Sequence, residues 1–572
     1  MAVTGNDISE AETPLLNDIV RSCIDFKGRA ANRSKTGCWK SASVIISIEV
    51  AERFAYYGIS SNLISYLTGP LGQSTATAAA NVNAWYGTAM ILPVLGAFFA
   101  DSYLGRYRMI IVASLLYISG LGFLSLSAAY HSFNSSECKT YAKNSPCSTP
   151  QLEIIVFFFS LYLVAFAQGG HKPCVQAFGA DQFDEEDPTE RKAKCSFFNW
   201  WNFSLGVGIL VALSVLNYIQ ENMSWELGFG IPCIVMCFAL TGFLLGSTTY
   251  RFRINSDKRN PFVRIGRVFV KAAVNWQVSS VAISIEEEAR NVLHHEDGDF
   301  KFLDKALITN NGSSEKDICT IGDDIHDAKA ILRLVPIGSA CLGFAIVYSQ
   351  ASTLFTKQGV TLDRYISSNI QIPAASLQCL ISLTIIVSIP IYDRILVPFV
   401  RAITKKPAGI SMLQRIGIGI IFSFFCMVTA ALVERKRLAT AIKYGLVDMP
   451  KATIPMSVWW LAPQYILFGI GDVFVTVGLP ELFYDQVPKE LKSIGIALYL
   501  SILGIGSFLS SFLISIIEKA TSGHDHDSWF SNNLNRAHLD YFYWLLAGIN
   551  AVSIAFYVYF AKSYVYNRRG NF

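Results

Sequence analysis

The sequence is dominated by twelve apolar stretches of about twenty residues or slightly more. An α-helix needs about 20 apolar residues to cross the ~30 Å hydrocarbon core of a bilayer. The chain is 52% hydrophobic and only 16% charged, which departs from the average of soluble domains. We therefore predict an all-α polytopic membrane protein. The predicted spans lie near residues 42–67, 80–100, 109–129, 152–178, 198–218, 226–248, 331–352, 369–391, 411–433, 457–478, 494–517 and 540–561.

The spans form two sets of six, separated by one long hydrophilic segment. This order predicts twelve transmembrane helices in two six-helix halves, the major facilitator fold, in which the halves rock about a site near the membrane midplane. Such a fold works as a monomer, and the sequence leaves the oligomeric state open. We predict a disordered cytosolic tail over residues 1–40, the N-terminal half over 41–249 and a cytosolic linker over 250–330. The C-terminal half follows over 331–562, and a second cytosolic tail over 563–572.

Positive charges predict the orientation in the membrane. One set of short loops is rich in Lys and Arg, whereas the alternate loop 68–80 has no charge. Because cytosolic loops carry the excess of Lys and Arg, we place both termini in the cytosol. The segment 434–456, predicted as a loop on the far side, is an exception with three consecutive basic residues. Cys138 and Cys147 share another far-side loop, where a disulfide and two free thiols both stay possible.

The linker opens with a segment of basic and apolar residues over 260–272. Arg264, Arg267 and Lys271 are spaced three and four apart, with apolar residues between them. This pattern predicts a basic amphipathic helix on the cytosolic surface of the membrane.

Several function classes lack their sequence patterns. The net charge is only +4, and no Lys/Arg-rich tract with interleaved aromatic residues suggests a nucleic-acid partner. The spans contain no GxSxG, HExxH or paired-His metal pattern, and no Gly-rich phosphate loop precedes a Lys-Ser/Thr. We therefore expect neither an enzyme nor an ATP-driven pump, with no cofactor and no metal.

The first predicted span contains Glu49, Glu52 and Arg53 where lipid would be expected. A charged side chain at the bilayer centre costs at least about 2.5–3.5 kcal/mol, so such residues are usually hidden and functional. Glu49 and Arg53 are i,i+4 neighbours, which leaves one acid in need of a proton or of a cation from another helix. Lys172 in span four is the natural cation. A proton on the carboxylate would release Lys172 to hold an anionic substrate, whereas a permanent ion network is the structural alternative.

His171 lies next to Lys172 and is the one histidine that falls inside a predicted span. A packed or hydrogen-bonded side chain is the expectation for this residue, with a proton relay as the alternative.

The stretch Glu49–Gly58 resembles the ExxERFxYYG motif of the proton-coupled peptide transporters and the plant nitrate transporter 1/peptide transporter family. Further segments resemble the family's signatures from about residue 40 to 565, namely Leu95–Arg106, Gly169–Phe183, Phe197–Trp201, Tyr392–Arg394, Leu413–Gly417 and Glu481–Gln486. The long central segment is typical of the plant branch.

The resemblance implies roles for individual residues. In the family the motif glutamates are linked to the proton, the span-four lysine contacts the substrate's carboxylate or anion, and the tyrosines, here Tyr56 and Tyr57, line the cavity. Ordinary aromatic packing is the alternative for both tyrosines. Peptide-carrying relatives hold the peptide's amino terminus with an acid of the second half. Glu481 lies in the matching stretch, and Asp472 is the second choice.

Two further sets of residues are expected to contribute. Tyr348, near the outer end of span seven, is predicted to form part of the cavity wall. Asp101 with Arg106, after span two, and Asp393 with Arg394, after span eight, are predicted to form a cytosolic latch that pairs in one state and separates in the other. A fixed loop structure is the alternative reading of these four residues.

We therefore predict a proton-coupled symporter for small solutes, working by alternating access with protons, the solute and the lipid bilayer as its partners. Nitrate and di- or tripeptides are near equals as substrates, and a hormone or another organic acid stays open. A solute sensor that uses the same cavity is the alternative from another class. Glu10 and Glu12 before Leu15-Leu16 resemble an acidic dileucine signal and favour the vacuolar membrane, whereas the family expectation is the plasma membrane.

Overall fold

The structure is a computed structural model. It describes residues 19–141, 150–184, 186–253, 261–277, 300–307, 315–367, 370–404, 410–487, 492–523 and 527–564. These described residues contain eighteen α-helices, which we name α1 to α18 in chain order: Cys38–Ser60, Leu63–Thr68, Thr75–Phe99, Arg106–Tyr141, Gln151–Ala180, Pro188–Val211, Asn217–Asn222, Trp225–Leu245, Pro261–Val274, Glu315–Ala340, Leu342–Tyr348, Leu354–Val360, Cys379–Ile391, Val397–Thr404, Met412–Lys443, Ala462–Asp485, Lys492–Thr521 and Leu539–Ser563.

Within these described residues, ten helical segments are long and apolar enough to cross a membrane, and eleven if the bent pair Ile321–Ala340 and Leu342–Tyr348 counts as one span. Helix α1 has 23 residues, also enough for a crossing, but carries Glu49, Glu52 and Arg53 in its second half. With α1 as the twelfth, each predicted span corresponds to a described helix or helix pair. The prediction of an all-α polytopic membrane protein is confirmed.

The chain divides into two compact units. The first comprises Met1–Ile59 and Phe99–Lys258, and the second comprises Ser60–Phe98 and Arg259–Phe572. In the first unit α4 packs along α5 and α8. An aromatic core fills one end of this unit, where the ring of Tyr107 lies 5.5 Å from that of Phe243 and 5.9 Å from that of Phe178. In the second unit α15 packs along α16 and α18.

A small antiparallel sheet belongs to the first unit. Strands Ile19–Ile24, Ala30–Asn32 and Phe252–Arg253 pair with the first strand in the centre. Arg251, beside this sheet, is fully buried, and its Nη1 donates to Glu190 Oε2 at 2.6 Å. The prediction of a disordered tail up to residue 40 is therefore wrong for residues 19–37, because strand pairing and buried ion pairs order them.

Helix α6 begins at the same cluster, where Asp187 is the N-cap. Its side chain accepts hydrogen bonds from the backbone N–H groups of Thr189 and Glu190. Arg33 Nη1 lies 2.7 Å from the other carboxylate oxygen. The hydrogen bonds from Thr189 and the cap lower the pKa of Asp187 to about 2, so the cap stays charged at physiological pH.

The predicted amphipathic helix is present as α9. Its buried side is formed by Ile265, Val268 and Ala272, whereas Val270 and Val274 are exposed. Arg264, one of the three basic residues of the predicted pattern, is paired within the protein: its Nε lies 2.8 Å from Asp324 Oδ1 of α10, and its guanidinium also pairs with Asp327. The location of α9 on the membrane surface stays a prediction.

Two predicted boundaries are wrong. Helix α10 begins at Glu315, well before the predicted start of span seven at residue 331. Helix α15 continues to Lys443 and so includes the first part of the segment 434–456, which was predicted as a loop. Arg437 explains this continuation, since its side chain is fully buried and pairs with Glu434 one turn earlier instead of pointing to solvent.

Asp101 lies in one π-helical turn, Ala100–Leu104, and Asp393 and Arg394 lie in another, Tyr392–Leu396, whereas Arg106 begins α4. Such turns occur often at functional sites. The Arg106 Nη1 lies 2.5 Å from Asp181 Oδ2. The side chains of Asp101 and Asp393 lie outside the described part, as do the side chain of Cys138 and all of Cys147, so the latch and the disulfide stay predictions.

Candidate functional site

Helix α1 brings two acids and one guanidinium together in the first unit. Arg53 donates to Glu49 Oε1 from Nη2 at 2.8 Å and from Nε at 3.0 Å. The same Nε lies 3.4 Å from Glu52 Oε2. Glu49 and Glu52 are 2% and 0% exposed, so both carboxylates are removed from solvent. One cation thus faces two buried acids, as the i,i+4 spacing predicted.

Helix α5 places His171 and Lys172 against this cluster. His171 is fully buried, and its Nδ1 lies 3.6 Å from Glu49 Oε2. Lys172 is half-buried and close enough to Arg53, Glu52 and Glu49 to interact with all three charges. The two basic side chains of α5 therefore belong to the same site as the acids of α1.

Two glycines allow the close helix contacts around this site. A Cβ on Gly170 of α5 would lie 2.6 Å from Met109 Cε of α4, which real structures do not tolerate without a shift. A Cβ on Gly58 would lie 2.3 Å from Leu216 Cδ1, and the Gly58 carbonyl accepts a hydrogen bond from Gln220 Nε2 at 2.7 Å. Gly58 therefore allows the close helix approach at this point.

Sequence reasoning missed the layer behind the charges. Tyr117 of α4 is fully buried and lies against the Glu52 carboxylate. Gln168 of α5, one turn before His171, is also fully buried. Nothing in the sequence around Tyr117 marks it as a site residue, because its neighbours are apolar. Gln168 could have been recognised, because it is an isolated polar residue inside an apolar span.

The two motif tyrosines differ in their surroundings. Their rings meet edge to face with centroids 5.5 Å apart. Tyr56 is 2% exposed, whereas Tyr57 is half-buried and near enough to Arg53 to interact with its charge. Tyr57 therefore fits a role at the site, and Tyr56 fits the packing alternative.

The second unit contains the remaining predicted residues. Tyr348 is half-buried, and its ring lies 5.7 Å from that of Tyr86 and 5.6 Å from that of Phe468. Asp472 is 7% exposed in the middle of α16, and its Oδ1 has no hydrogen-bond partner among the described residues. Glu481 lies near the end of α16 with a side chain that is 44% exposed, 3.3 Å from Arg415 Nη1. Glu481 is thus paired and Asp472 is buried, and the role of either acid in holding a substrate amine stays a prediction.

A bundle of membrane-spanning helices with a buried, nearly balanced charge cluster defines a membrane transporter rather than an enzyme. The comparisons with known proteins agree. Residues 107–530 match the sequence model of the POT family. Protein NRT1/ PTR FAMILY 5.10 of Arabidopsis thaliana is 60% identical over 569 residues, which is 99% of both chains. Protein NRT1/ PTR FAMILY 5.14 of the same plant is 54% identical over 98% of this chain and 99% of its own. This chain belongs to the NRT1/PTR group of the POT family.

Solved structures of transporters share the fold. A crystal structure described as an auto-inhibited POT family peptide transporter aligns with a TM-score of 0.69 at 21% identity, covering 93% of this chain and 99% of that one. The POT family transporter PepTSo aligns with a TM-score of 0.66 at 19% identity, covering 91% and 98%. The predicted major facilitator fold, with twelve transmembrane helices in two halves, is confirmed.

Proposed function

We propose that this protein is a proton-coupled symporter that carries a small solute with an anionic group across a plant membrane by alternating access. The observation that carries this proposal is the buried cluster in which Arg53 contacts both Glu49 and Glu52 while Lys172 lies within reach of the same charges. All four groups belong to the first unit.

The charges of this cluster explain how proton and solute can depend on each other. With both acids ionised, Glu49 and Glu52 balance Arg53 and Lys172. A proton on one carboxylate leaves one positive charge in excess in a buried site, where an unpaired charge is costly. An anionic group of the solute restores the balance. Proton binding therefore favours solute binding and the reverse, which is the thermodynamic requirement for symport.

The buried Asp472 bears on the class of solute. A peptide offers a carboxylate for Lys172 and an ammonium group for an acid, whereas nitrate needs only the cationic partner. Asp472 supplies a buried acid without a hydrogen bond to Oδ1 in the described part, while Glu481 is held by Arg415. We therefore favour a zwitterionic solute such as a short peptide, with nitrate or another organic acid as the alternative.

Replacing either acid of α1 by glutamine is expected to remove the stimulation of uptake by external acid. The amide keeps the shape of the side chain but cannot take up a proton. The measurement is initial uptake into proteoliposomes at external pH values from about 5.5 to about 7.5. It compares Glu49→Gln and Glu52→Gln with Glu186→Gln, an exposed control. Acid stimulation that persists in both cluster variants would place the proton site elsewhere.

The same experiment separates transport from sensing. A sensor needs no proton acceptor, so a purified sensor would bind its solute without gradient-driven accumulation. Accumulation that depends on Glu49 and Glu52 supports the symporter.

For the location we propose the vacuolar membrane with both termini in the cytosol. Leu15 and Leu16, which lie outside the described residues, are the basis for this choice. Changing both to alanine in the full-length protein, fused to a fluorescent protein and expressed in plant cells, is expected to move it from the vacuolar membrane to the plasma membrane. An unchanged distribution would remove the dileucine argument.

A further inference from the structure

The two acids of α1 and the histidine of α5 form a set of potential metal ligands. One ligand atom each from Glu49, Glu52 and His171 lies within 4.8 Å of the other two, and all three side chains are buried. This set could not be recognised from the sequence, because His171 lies far along the chain from Glu49 and Glu52 and the three match no metal-binding spacing.

The hydrogen-bonding pattern leaves these atoms open toward one another. Arg53 occupies Glu49 Oε1. Glu49 Oε2, both oxygens of Glu52 and both ring nitrogens of His171 make no hydrogen bond among the described residues, although Glu52 Oε2 has Arg53 Nε as an ion-pair neighbour at 3.4 Å. A buried polar atom without a partner is costly, so five such atoms in one cluster indicate a place for a bridging proton or cation.

One spacing of the set is close to that of a tetrahedral zinc-class ion, and all three ligand atoms lie within 4.8 Å of one another. Zn²⁺ binds imidazole nitrogen and carboxylate oxygen at about 2.0–2.2 Å, so neighbouring ligand atoms of a tetrahedron lie roughly 3.3 Å apart. His171 Nδ1 and Glu49 Oε2 are 3.6 Å apart, and a side-chain shift of a few tenths of an ångström closes the difference. Mg²⁺ and Ca²⁺ prefer six or more oxygen ligands, which this set does not offer.

We propose that Glu49, Glu52 and His171 form an inhibitory binding site for a zinc-class divalent cation. The two carboxylates match the charge of the ion, and imidazole is a preferred ligand of this class. Arg53 and Lys172 repel the ion and lower its affinity, so the site suits a reversible inhibitor rather than a resident cofactor. An ion bound here occupies the carboxylate oxygens that the coupling proton needs, and it blocks the proton-linked step.

The direct test is calorimetric titration of purified full-length protein with Zn²⁺. We expect one zinc-binding event in the wild type and an affinity at least about tenfold weaker in His171→Gln, which lacks the imidazole ligand. His131→Gln is the matched control, since His131 contacts Glu153 in the same unit but lies outside the proposed set. Equal binding by His171→Gln and wild type, or loss of binding in His131→Gln, would overturn the proposal.

A second variant guards against misfolding of His171→Gln. His171→Cys supplies a thiolate, which is also a zinc ligand, and is expected to bind Zn²⁺. If His171→Cys fails to bind Zn²⁺ although it melts at the wild-type temperature, a ligand atom at position 171 does not restore the site. That result would contradict the role of residue 171 as a zinc ligand.

The inhibitory part is tested by uptake, with each variant compared to its own zinc-free rate. Zn²⁺ is expected to slow uptake by the wild type and to lose most of this effect in His171→Gln. Uptake by zinc-loaded wild type at the zinc-free rate would refute inhibition. The titration needs no substrate, so failure of this proposal shows in binding, whereas failure of the proposed symport shows in uptake without zinc.

Discussion

Lys172→Ala is expected to abolish gradient-driven uptake while the protein stays folded. Lys172 is the cation that α5 brings to the buried acids of α1, and it is the group freed for an anionic solute when a carboxylate takes up a proton. Its removal leaves Arg53 alone against two carboxylates and leaves the anion without this partner. Truncating one member of a buried charge pair costs about 2–5 kcal/mol in binding, a loss of roughly thirtyfold to more than a thousandfold.

The matched control is Lys192→Ala, which removes an exposed lysine of the same unit and is expected to transport like the wild type. Size-exclusion chromatography and a thermal melt of both variants separate loss of transport from loss of the fold. Unchanged uptake by Lys172→Ala would refute its role in coupling.

Arg437→Ala is expected to have the largest effect on stability. Arg437 and Glu434 are both fully buried in α15 of the second unit, with Nη2 2.6 Å from Glu434 Oε1. The guanidinium also donates to the Leu534 carbonyl at 2.6 Å and to Asn535 Oδ1 at 3.0 Å. Gln358 donates to the second oxygen of Glu434 at 2.7 Å. Removal of the arginine leaves the Glu434 carboxylate buried without its cationic partner, which is expected to lower the free energy of unfolding by about 3–5 kcal/mol.

Arg435→Ala is the control, because Arg435 is exposed on the same helix two residues earlier. The measurement is the melting temperature and the monodisperse yield in detergent, which should fall sharply for Arg437→Ala and stay near the wild type for Arg435→Ala. Equal melting temperatures of the two variants would show that the buried pair contributes nothing to stability.

The sequence was a good guide wherever one local pattern decided the outcome. Apolar length located the spans, since a helix that crosses lipid has a fixed minimum length. The acids of α1 pointed to the candidate site, because charge inside a membrane span is costly and therefore informative. The i,i+4 relation of Glu49 and Arg53 predicted their contact.

The sequence was a poor guide wherever a partner distant in the chain decided the outcome. Arg437 and its two basic neighbours suggested a solvated loop, but Arg437 is buried by its pair with Glu434 and by contacts with Leu534 and Asn535, about a hundred positions away. Arg251 orders the N-terminal strands through Glu190, about sixty residues before it. Nothing local distinguished the buried Asp472 from the paired Glu481, because the partner Arg415 lies on another helix.

The most direct test of the account is uptake by the purified protein in liposomes under an imposed gradient, acid outside. Labelled nitrate and a library of labelled dipeptides would be supplied, with Lys172→Ala as the control. We predict gradient-driven accumulation of one solute class by the wild type, collapse of that accumulation when the proton gradient is dissipated, and none in Lys172→Ala. Accumulation that survives dissipation of the gradient, or that is equal in Lys172→Ala, would contradict proton coupling through the buried cluster.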